Sequence, residues 1–531
     1  MPHYCSDFSR FFCRDLATLG SPIGLADKRR LLPFLGDLDN HPPMLNKVSF
    51  LILSSAFTSS GRQPGCCYKS LQYSEVRAEN QQESMEFDLS IVIPALNEGP
   101  NLELLLPQLK SVLDRIGIRW EILIVTRDHD FATREAGECG GARVLNQQEP
   151  GYGGALLSGF NAARGCYIIT MDADLSHQPT FIEDMWRERD NAEVIVASRY
   201  VPGGSADMPL GRYLLSRFLN MFFCRGLGLE IHDLSSGYRL YRKSAVDGQV
   251  FRARDFDILQ EILVRAHAEG WRVAEIPFVY KPRIHGSSHA RLFKFGIAYL
   301  RTFWSLWSLR NSILAADYDD RAYDSIIPLQ RYWQRSRFRH LTSLIKGEGQ
   351  VLDVGCGSSR VIGALPEGSI ALDILVRKLR YSRKFSRALV QGSAFGLPFP
   401  DHSFSCVLCS QVIEHIPKEP IVLDELCRVL RDGGRLVLGT PDYSRWEWVL
   451  TERLYGFFKP GGYADEHIAH YTRDELTRSL SDRGFVLDET RYIMRGELIL
   501  AFRKLQPATG NGKSSVEQAA SVPAPVVLHG V

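Results

Sequence analysis

Hydrophobic and polar positions follow one another along most of the chain as strand, turn and helix, an order that predicts α/β folding around parallel sheets. In the first half, short apolar runs that end in polar or glycine-rich turns predict strands. These runs cover residues 89–94, 121–125, 167–171 and 194–197. Residues 101–116 repeat leucine, valine and isoleucine at the spacing of one helix face. A second series of the same kind starts at Gln350.

The pattern also predicts how the chain divides. Residues 1–84 lack sustained periodicity, so we expect a poorly ordered extension, which would not be translated at all if Met85 is the true start. The other expected parts are an α/β domain at 85–315, a linker or bridging helix at 316–346, a second α/β domain at 347–505, and a disordered Pro/Ala/Gly/Ser tail at 506–531.

Composition narrows the class of protein. A chain of 531 residues with 45% hydrophobic and 23% charged residues is typical of two or three globular domains. The net charge of +2 argues against a strongly electrostatic nucleic-acid binder. The 11 cysteines are scattered without a disulfide or zinc framework, which favours a reducing, cytoplasmic compartment. No apolar run reaches the roughly 20 residues of a membrane-spanning helix.

Candidate chemistry begins with Asp172 and Asp174, which follow the apolar run 167–171. Residues i and i+2 of a strand project to the same face, about 6–7 Å apart. Two carboxylates on one side of a strand end form half of a site for a hard divalent cation, which takes its other ligands from water or substrate phosphates. The alternative is that both aspartates cap the following turn.

A glycine cluster, Gly151, Gly153 and Gly154, opens the helix predicted over residues 155–163. Backbone N–H groups at such a helix start can approach an anion, and the helix dipole favours it. These residues alone leave a second interpretation equally open, in which the glycines only permit a tight turn.

Together with their neighbours, these motifs resemble family 2 glycosyltransferases, and most closely the dolichyl- or polyprenyl-phosphate sugar synthases. The resemblance covers about residues 88–312. Its motifs, in chain order, are S-I-V-I-P-A-L-N-E, G-Y-G-G-A-L-L-S-G-F-N-A-A-R-G, M-D-A-D-L-S-H-Q-P, A-S-R-Y-V-P-G-G, H-D-L-S-S-G-Y-R-L-Y and E-I-P-F-V-Y-K-P-R-I-H-G-S-S-H. It implies a GT-A fold, a nucleotide-sugar donor, Mg²⁺ or Mn²⁺, and a polyprenyl phosphate or glycan acceptor.

The resemblance also implies residue roles. Asp172 and Asp174 would hold the metal, which neutralises charge on the nucleoside diphosphate leaving group. Arg199 and Arg239 are expected as catalytic residues that contact phosphate oxygens, although a plain surface charge is as open for Arg239. Asp233 is the acceptor-side carboxylate, required as a base only if the acceptor is a sugar hydroxyl. The expected donor-binding residues are Pro94, Asn97, Glu98, Asp128, Gly153, Asp172 and Ser287.

The second predicted strand departs from the family pattern. Relatives end this strand in two aspartates followed by Gly-Ser, which grip the nucleobase and ribose. Here Thr126 and Arg127 occupy those places, and Asp128 substitutes only after a shift. One alternative is therefore a degenerate glycosyltransferase domain, which leaves methyl transfer as the working activity.

Residues 292–315 are rich in aromatic side chains and carry Lys294 and Arg301 on one helical face. Related lipid-phosphate enzymes place amphipathic helices here against the membrane, so peripheral membrane contact is one hypothesis. Packing onto the sheet of the same domain is the other.

The second half opens with Q-V-L-D-V-G-C-G, a strand that runs into a glycine turn. Because Arg360 stands where a third glycine would fall, this is not the usual dinucleotide fingerprint. The next predicted strand ends in Asp373, which is placed to accept ribose hydroxyls.

This half, over about residues 345–504, resembles class I S-adenosylmethionine-dependent methyltransferases. The match continues through G-S-A-F-G-L-P-F-P-D-H-S-F, S-Q-V-I-E-H-I and L-R-D-G-G-R-L-V-L-G-T-P. By that resemblance the fold is Rossmann-like. The expected cofactor-binding residues are Asp353, Gly355, Gly357, Asp373, Ser393, Ala394 and Gln411.

Methyl transfer from a sulfonium depends mainly on alignment. A hydroxyl acceptor would also need a base, for which His415, His467 and His470 are candidates, with a structural role as the alternative for each.

We therefore expect a bifunctional enzyme that transfers a sugar and methylates a glycan, lipid or related metabolite, with no nucleic-acid partner. The rival from another class is a ligand-binding scaffold without turnover.

Overall fold

The computed structural model describes residues 86–281, 292–458 and 467–506. The predictions for residues 1–84, for Ser287 and for the tail after residue 506 fall outside these ranges. No helix within them has the length and apolarity needed to cross a membrane.

Residues 87–280 form the first domain's sheets. The strands are β1 (Phe87–Pro94), β2 (Trp120–Thr126), β3 (Arg143–Asn146), β4 (Gly165–Thr170), β5 (Val194–Ser198), β6 (Ser205–Ala206), β7 (Arg239–Arg242), β8 (Val273–Pro277) and β9 (Val279–Tyr280). The helices are α1 (Gly99–Ile116), α2 (Phe131–Cys139), α3 (Gly151–Ala162), α4 (Phe181–Arg187), α5 (Leu210–Gly226) and α6 (Ile258–Ala268), followed by α7 (Leu292–Arg310).

The main sheet has the order β3-β2-β1-β4-β7-β5-β8. Its strands run parallel except β7, which is antiparallel to both β4 and β5. The expected all-parallel sheet is therefore mixed, because β7 enters between two strands from the opposite end. Buried apolar side chains cover both faces, so the central strands β1, β2, β4 and β5 are mostly apolar.

Helix α1 illustrates how the sequence sets element bounds. A proline lies in its first turn, where a missing N–H costs nothing, and Gly117 ends it with φ 75°. The leucines repeated at helical spacing are the buried ones, including Leu102, Leu105 and Leu109.

A connecting segment leads to the second domain through α8 (Tyr318–Tyr323) and α9 (Pro328–Ile345). The later strands are β10 (Val351–Val354), β11 (Ile370–Asp373), β12 (Ala388–Gln391), β13 (Phe404–Ser410), β14 (Leu430–Pro441), β15 (Phe485–Ile493) and β16 (Glu497–Lys504). The helices are α10 (Val361–Ala364), α11 (Val376–Ser382), α12 (Pro420–Arg428), α13 (Trp446–Phe458) and α14 (Arg473–Ser481).

The second sheet has the order β12-β11-β10-β13-β14-β16-β15. Strands β12 to β14 are parallel, and β16 and β15 close the sheet with antiparallel pairs. The carboxyl ends of β10, β11 and β13 therefore meet at one edge, where a doubly wound sheet binds its ligand.

Helix α8 joins the two domains through acidic side chains. Asp317, just before it, forms a buried ion pair with Arg310 at 2.6 Å, and Arg310 also donates to the carbonyl of Leu227 in the first domain. Asp319 accepts from the ammonium of Lys378 on α11 at 2.8 Å. The segment thus reaches both domains within a few residues.

Candidate functional site

The aspartate pair lies at the carboxyl end of β4. The Asp172 side chain is 30% exposed, and its Oδ1 accepts a hydrogen bond from the Tyr152 hydroxyl at 3.3 Å. The Asp172 backbone N–H donates to Nδ1 of His177 at 2.9 Å. Asp174 is buried, and its Oδ1 accepts from the N–H and hydroxyl of Ser176 at 3.1 and 2.5 Å. The pair is unequal, since Asp172 faces solvent and Asp174 holds the turn.

Asp130 is the buried carboxylate at the neighbouring ends of β1 and β2. Its Oδ2 accepts from the backbone N–H of Asn97 at 2.6 Å and from the Thr126 hydroxyl at 3.1 Å, and it caps α2 through the N–H of Thr133. Burial would raise the pKa of Asp130, but these hydrogen bonds hold it below its ordinary value. The expected Asp128 is exposed instead. The sequence signal for Asp130 was its position before α2, typical of an N-cap.

The other expected donor-side residues of β1 lie at the same edge. Pro94 ends the strand half-buried, and Asn97 adopts φ 60° in the turn that follows. Glu98 accepts from the Asn101 amide at 2.6 Å. These residues line one rim with Asp172, because β1 and β4 are adjacent parallel strands.

The glycines at the start of α3 pack closely against the protein's own backbone. A Cβ at Gly153 would lie 2.7 Å from the Arg254 carbonyl carbon, and one at Gly154 would lie 2.0 Å from the Glu149 oxygen. The Gly154 N–H donates to the Arg254 carbonyl at 3.2 Å. The structure therefore favours the tight-turn interpretation over an anion cradle.

The expected catalytic pair, Arg199 and Asp233, is an internal ion pair. Asp233 is fully buried, and its oxygens accept from Arg199 Nε and Nη2, both at 2.7 Å. The backbone N–H groups of Arg199, Ser235 and Ser236 and the Ser235 hydroxyl donate the other four hydrogen bonds. Burial would raise the pKa of Asp233, but Arg199 holds it below its ordinary value. This geometry contradicts the base role, because the carboxylate has neither exposure nor a spare lone pair.

Arg239 also binds groups inside the protein. It is fully buried on β7, and its guanidinium donates to the carbonyls of Leu234 and Leu259 at 2.6 and 2.7 Å. Full burial contradicts the surface-charge alternative, and the phosphate role stays a prediction. The side chain supports the loop that carries Asp233.

In the second domain, the glycine turn after β10 meets the acidic end of β11. Asp373 Oδ2 accepts from the Gly357 N–H and Oδ1 from the Leu375 N–H, both at 2.8 Å. Gly355 and Gly357 have φ values of 70° and 58°, and a Cβ at Gly355 would lie 2.3 Å from Val412. Only glycine suits the first turn position, where strain and crowding coincide.

Two buried carboxylates lie at this turn. Burial, and then the charge of Asp373, raise the pKa of Asp353 to about 7. Burial also raises the pKa of Asp373, against the opposing charge of Lys378. Such groups favour a cationic neighbour.

The remaining expected cofactor residues lie on neighbouring loops. Ser393 and Ala394 are half-buried after β12, and the Ser393 hydroxyl accepts from the Phe395 N–H at 3.2 Å. Gln411 follows β13 with φ 59°, and its backbone N–H donates to the Gly439 carbonyl at 2.7 Å. Its side-chain Nε2 is buried without a hydrogen-bond acceptor among the described residues.

The candidate histidines gather near the ends of β13 and β14. The rings of His415 and His467 lie 5.0 Å apart, and His470 stacks on Tyr443 at 4.0 Å. Fully buried Glu414, which sequence reasoning missed, lies beside them, and burial raises its pKa to about 8. The sequence gives little signal for this group, because the fold brings together segments far apart in the chain.

The residues present suit both implied ligands, in different degrees. At the first site, Asp172 offers an accessible carboxylate to a divalent ion, whereas Asp174 would have to release Ser176 to bind directly. At the second, the orphaned Gln411 amide, the glycine turn and the two buried carboxylates suit a polar, cationic cofactor.

The fold and sites define an α/β protein with two transferase domains, the first GT-A-like and the second Rossmann-like. Residues 90–248 match the glycosyl transferase family 2 model, and residues 352–438 match a methyltransferase domain model. The chain thus carries a family 2 glycosyltransferase domain followed by a methyltransferase domain.

Among curated proteins, the chain is similar to a dolichol-phosphate mannosyltransferase of Pyrococcus furiosus, with 31% identity over 38% of this chain and 58% of the relative. It is also similar to an undecaprenyl-phosphate mannosyltransferase of Micrococcus luteus, with 29% identity over 37% of this chain and 85% of the relative. The first match therefore spans little more than half of that relative's length.

Among solved structures, glucosyl-3-phosphoglycerate synthase of Mycobacterium tuberculosis matches with 18% identity and a TM-score of 0.33, over 46% of this chain and 86% of that one. A SAM-dependent methyltransferase of Thermotoga maritima matches with 21% identity and a TM-score of 0.28, over 33% and 94%.

Proposed function

We propose that the first domain transfers a sugar from a nucleotide-sugar donor to a polyprenyl phosphate at a membrane surface, with Mg²⁺ or Mn²⁺ at Asp172. The second domain transfers a methyl group from S-adenosylmethionine to an oxygen of a glycan, lipid or related metabolite. The relatives named for dolichol- and undecaprenyl-phosphate mannose transfer support the acceptor class. The ion would offset charge on the diphosphate leaving group.

The single observation that supports the choice of acceptor is that hydrogen bonds from the protein itself already satisfy the Asp233 carboxylate. A sugar hydroxyl needs a base to remove its proton, whereas a phosphate acceptor is already anionic. The Asp233 carboxylate accepts six hydrogen bonds inside the protein. We therefore favour an acceptor that needs no base, a lipid phosphate over a glycan hydroxyl.

An apolar surface near this site supports membrane contact. We call Leu214, Leu215, Phe218, Phe222, Trp304 and Trp307, on α5 and α7, the aromatic surface. Their exposures range from 41% for Trp307 to 65% for Trp304. Phe303 ties the two helices together by packing on Phe223, with ring centroids 5.5 Å apart.

Hydrogen bonds from one side of α5 to the rest of the first domain leave the apolar residues of its other side exposed. The Tyr200 hydroxyl donates to Ser216 at 2.7 Å, and the Asn220 amide donates to Ser235 at 3.0 Å. Ser235 also accepts from Arg199, so the helix is joined to the ion pair. The exposed side chains of Arg212, Arg217 and Arg225 flank the apolar residues. Apolar residues with flanking arginines are typical of helices that lie in an anionic membrane interface.

The decisive experiment incubates the full-length chain with a panel of radiolabelled nucleotide sugars, Mn²⁺ and undecaprenyl phosphate, and measures label extracted into organic solvent. We expect label in the lipid fraction, and its loss in Asp172→Asn. Label only in a water-soluble glycan, or a lipid product that is unchanged in Asp172→Asn, would contradict the proposal.

Membrane contact is tested by sedimentation with vesicles that contain anionic lipid. Substituting Phe218 and Trp304 with serine should reduce the bound fraction several-fold. Phe131→Ser is the matched control, because Phe131 is a 76% exposed aromatic residue outside the aromatic surface. Equal binding by all variants would argue against this surface.

A further inference from the structure

A cluster of metal-ligand side chains lies in the second domain, beyond the residues expected to bind its cofactor. Glu414, His415 and His467 each offer one ligand atom, and these atoms lie within 4.8 Å of one another. Within residues 86–281, 292–458 and 467–506 no other group of three His, Cys, Asp or Glu side chains meets this distance. The resemblance offers His415 and His467 only as candidate bases and assigns no metal to the second domain.

The Glu414 carboxylate carries the strongest sign of a missing partner. The side chain is fully buried, and its Oε2 accepts from the Thr440 hydroxyl at 3.2 Å. Its Oε1 has no hydrogen-bond donor among the described residues. A buried carboxylate oxygen without a donor is costly, and a bound cation is one of the few ways to satisfy it.

His467 is oriented as metal-binding histidines usually are. Its ring is 3% exposed, and its Nδ1 lies 2.8 Å from Oε1 of Glu452 on α13. The Tyr443 hydroxyl lies 2.8 Å from the same nitrogen. Because the carboxylate only accepts, a hydrogen bond to it places the proton on Nδ1 and the lone pair on Nε2. The Tyr443 hydroxyl also reaches Glu452, at 2.7 Å, and fixes the carboxylate in turn.

The backbone holds the ligands together without help from an ion. The N–H groups of Ile468 and Ala469 donate to the Glu414 carbonyl at 2.8 and 3.0 Å. These bonds hold residues 467–469 against the 3₁₀ turn Ile413–His415. The cluster is therefore preorganised, which lowers the cost of binding a ligand.

We propose that Glu414, His415 and His467 bind one divalent transition-metal ion, with zinc as the expected metal. Two imidazoles and one carboxylate form a donor set that selects such ions over Mg²⁺. Three protein ligands leave a fourth position for water or a substrate oxygen, the pattern of catalytic rather than structural zinc sites. If the second domain methylates an oxygen, as proposed above, that open position is where an acceptor oxygen would bind.

The test uses the full-length chain in an Asp172→Asn background, so that the first domain's expected metal site does not contribute. After dialysis against a chelator, the protein is titrated with Co²⁺, whose visible absorption reports its ligands, and then with competing Zn²⁺. We expect one equivalent of Co²⁺ with a histidine–carboxylate spectrum, displaced by Zn²⁺.

Substituting a metal ligand should weaken Co²⁺ binding more than substituting Glu452, which only orients a ligand. His467→Gln should abolish the spectrum, and Glu452→Gln should weaken binding by about 10–100-fold, the usual cost of losing a carboxylate behind a ligating histidine. His415→Asn replaces a half-buried ligand and serves if Glu414 variants fail to fold, as judged by thermal melting. His470→Gln is the matched control, since this exposed histidine lies in the same segment but outside the cluster.

The proposal is overturned if the reference chain fails to bind one equivalent of Co²⁺. It is also overturned if His467→Gln binds Co²⁺ as well as the reference chain, or if His470→Gln loses as much affinity as His467→Gln. These outcomes do not depend on either transfer activity, so they stand apart from a failure of the proposed function.

Discussion

The two domains bury carboxylates in opposite ways. In the glycosyltransferase domain, Asp233 is surrounded by an arginine and by N–H donors, and its pKa lies below the ordinary value even though burial would raise it. In the methyltransferase domain, Asp353 is buried beside another carboxylate, Asp373. Burial and that second charge raise the pKa of Asp353 to about 7.

The difference indicates what each region requires from a ligand. A carboxylate with all its donors inside the protein stabilises the fold and leaves the chemistry to exposed neighbours such as Asp172. A buried carboxylate without a cation destabilises the fold until a ligand supplies positive charge. These environments agree with the proposed ligands: S-adenosylmethionine, whose sulfonium and ammonium groups are cationic, for the second domain, and an anionic diphosphate with a metal ion for the first.

We expect the largest effect from removing the charge of Asp233, the carboxylate that is hydrogen-bonded within the protein. Asp233→Asn should destabilise the first domain by about 3–5 kcal/mol, because it leaves the Arg199 guanidinium buried without its partner charge. Hydrogen exchange of peptides that cover residues 194–242 measures this loss. Asp172→Asn is the control and should change stability by no more than about 0.5 kcal/mol, because its side chain is partly exposed. Equal effects of the two substitutions would break the comparison.

In contrast to Asp233→Asn, the substitution Asp353→Asn should increase the stability of its domain. Below about pH 4 the carboxyl group is protonated in both states, and between about pH 4 and 7 it ionises only in the unfolded chain, so wild-type stability falls as pH rises. Above pH 7 the full penalty remains. The substitution should therefore stabilise the second domain by roughly 1–3 kcal/mol at pH 8 and have little effect at pH 4.

Urea unfolding of the full-length chain at both pH values, followed by hydrogen exchange in residues 351–373, checks this sign. The substitution should also weaken S-adenosylmethionine binding, which separates a site residue from a merely unfavourable core residue. Destabilisation at pH 8 would show that the carboxylate is already compensated in the native protein.

Sequence patterns predict the fold of this chain better than they predict the roles of its site residues. The apolar runs that became β1, β2, β4 and β5 were predicted because buried parallel strands are continuous in sequence. Helix α5 escapes the pattern, because its exposed side is as apolar as its buried side. The direction of β7 depends on the path of a long loop, which no local pattern reports.

Residue roles fail where burial decides them. Asp233 and Arg199 carry the right chemistry for catalysis, yet the fold turns them toward each other. Arg239 is fully buried, which a charged residue in a polar motif does not suggest. In the methyltransferase half, Gly355, Gly357 and Asp373 lie together as the sequence pattern indicates, because neighbouring residues largely determine the backbone geometry of this turn. Their role in cofactor binding stays a prediction.

A smaller effect concerns the proton on Asp353. Because its pKa is about 7, a cationic ligand should expel about half a proton on binding at pH 7 and almost none at pH 9. Calorimetric titration with S-adenosylmethionine in buffers of different ionisation enthalpy measures the release. S-adenosylhomocysteine, which lacks the sulfonium charge, is the matched ligand and should release less. Identical release by both ligands would mean that Asp353 does not sense the sulfonium.

The smallest expected effect tests whether the two regions are independent. Asp319, from the joining helix α8, pairs with Lys378 at 2.8 Å, and its Oδ2 also accepts from the Ser358 N–H at 3.1 Å beside the glycine turn. In Asp319→Asn, the Lys378 ammonium would turn to Asp373, whose oxygens are expected to meet the ribose.

Cofactor affinity should then fall by about 3–10-fold, on the order of 1 kcal/mol, as expected for one partly screened charge. Calorimetry with S-adenosylhomocysteine measures it without turnover. Asp324→Asn is the matched control, because Asp324 also pairs with a basic side chain, Arg360, but is half exposed and lies away from the glycine turn. A loss of affinity confined to Asp319→Asn would mean that the segment tied to the first domain by the Arg310–Asp317 pair also sets the second domain's pocket. The same affinity in both variants would mean that α8 only connects the two domains. The carboxylate environments of the two domains would then be independent of each other.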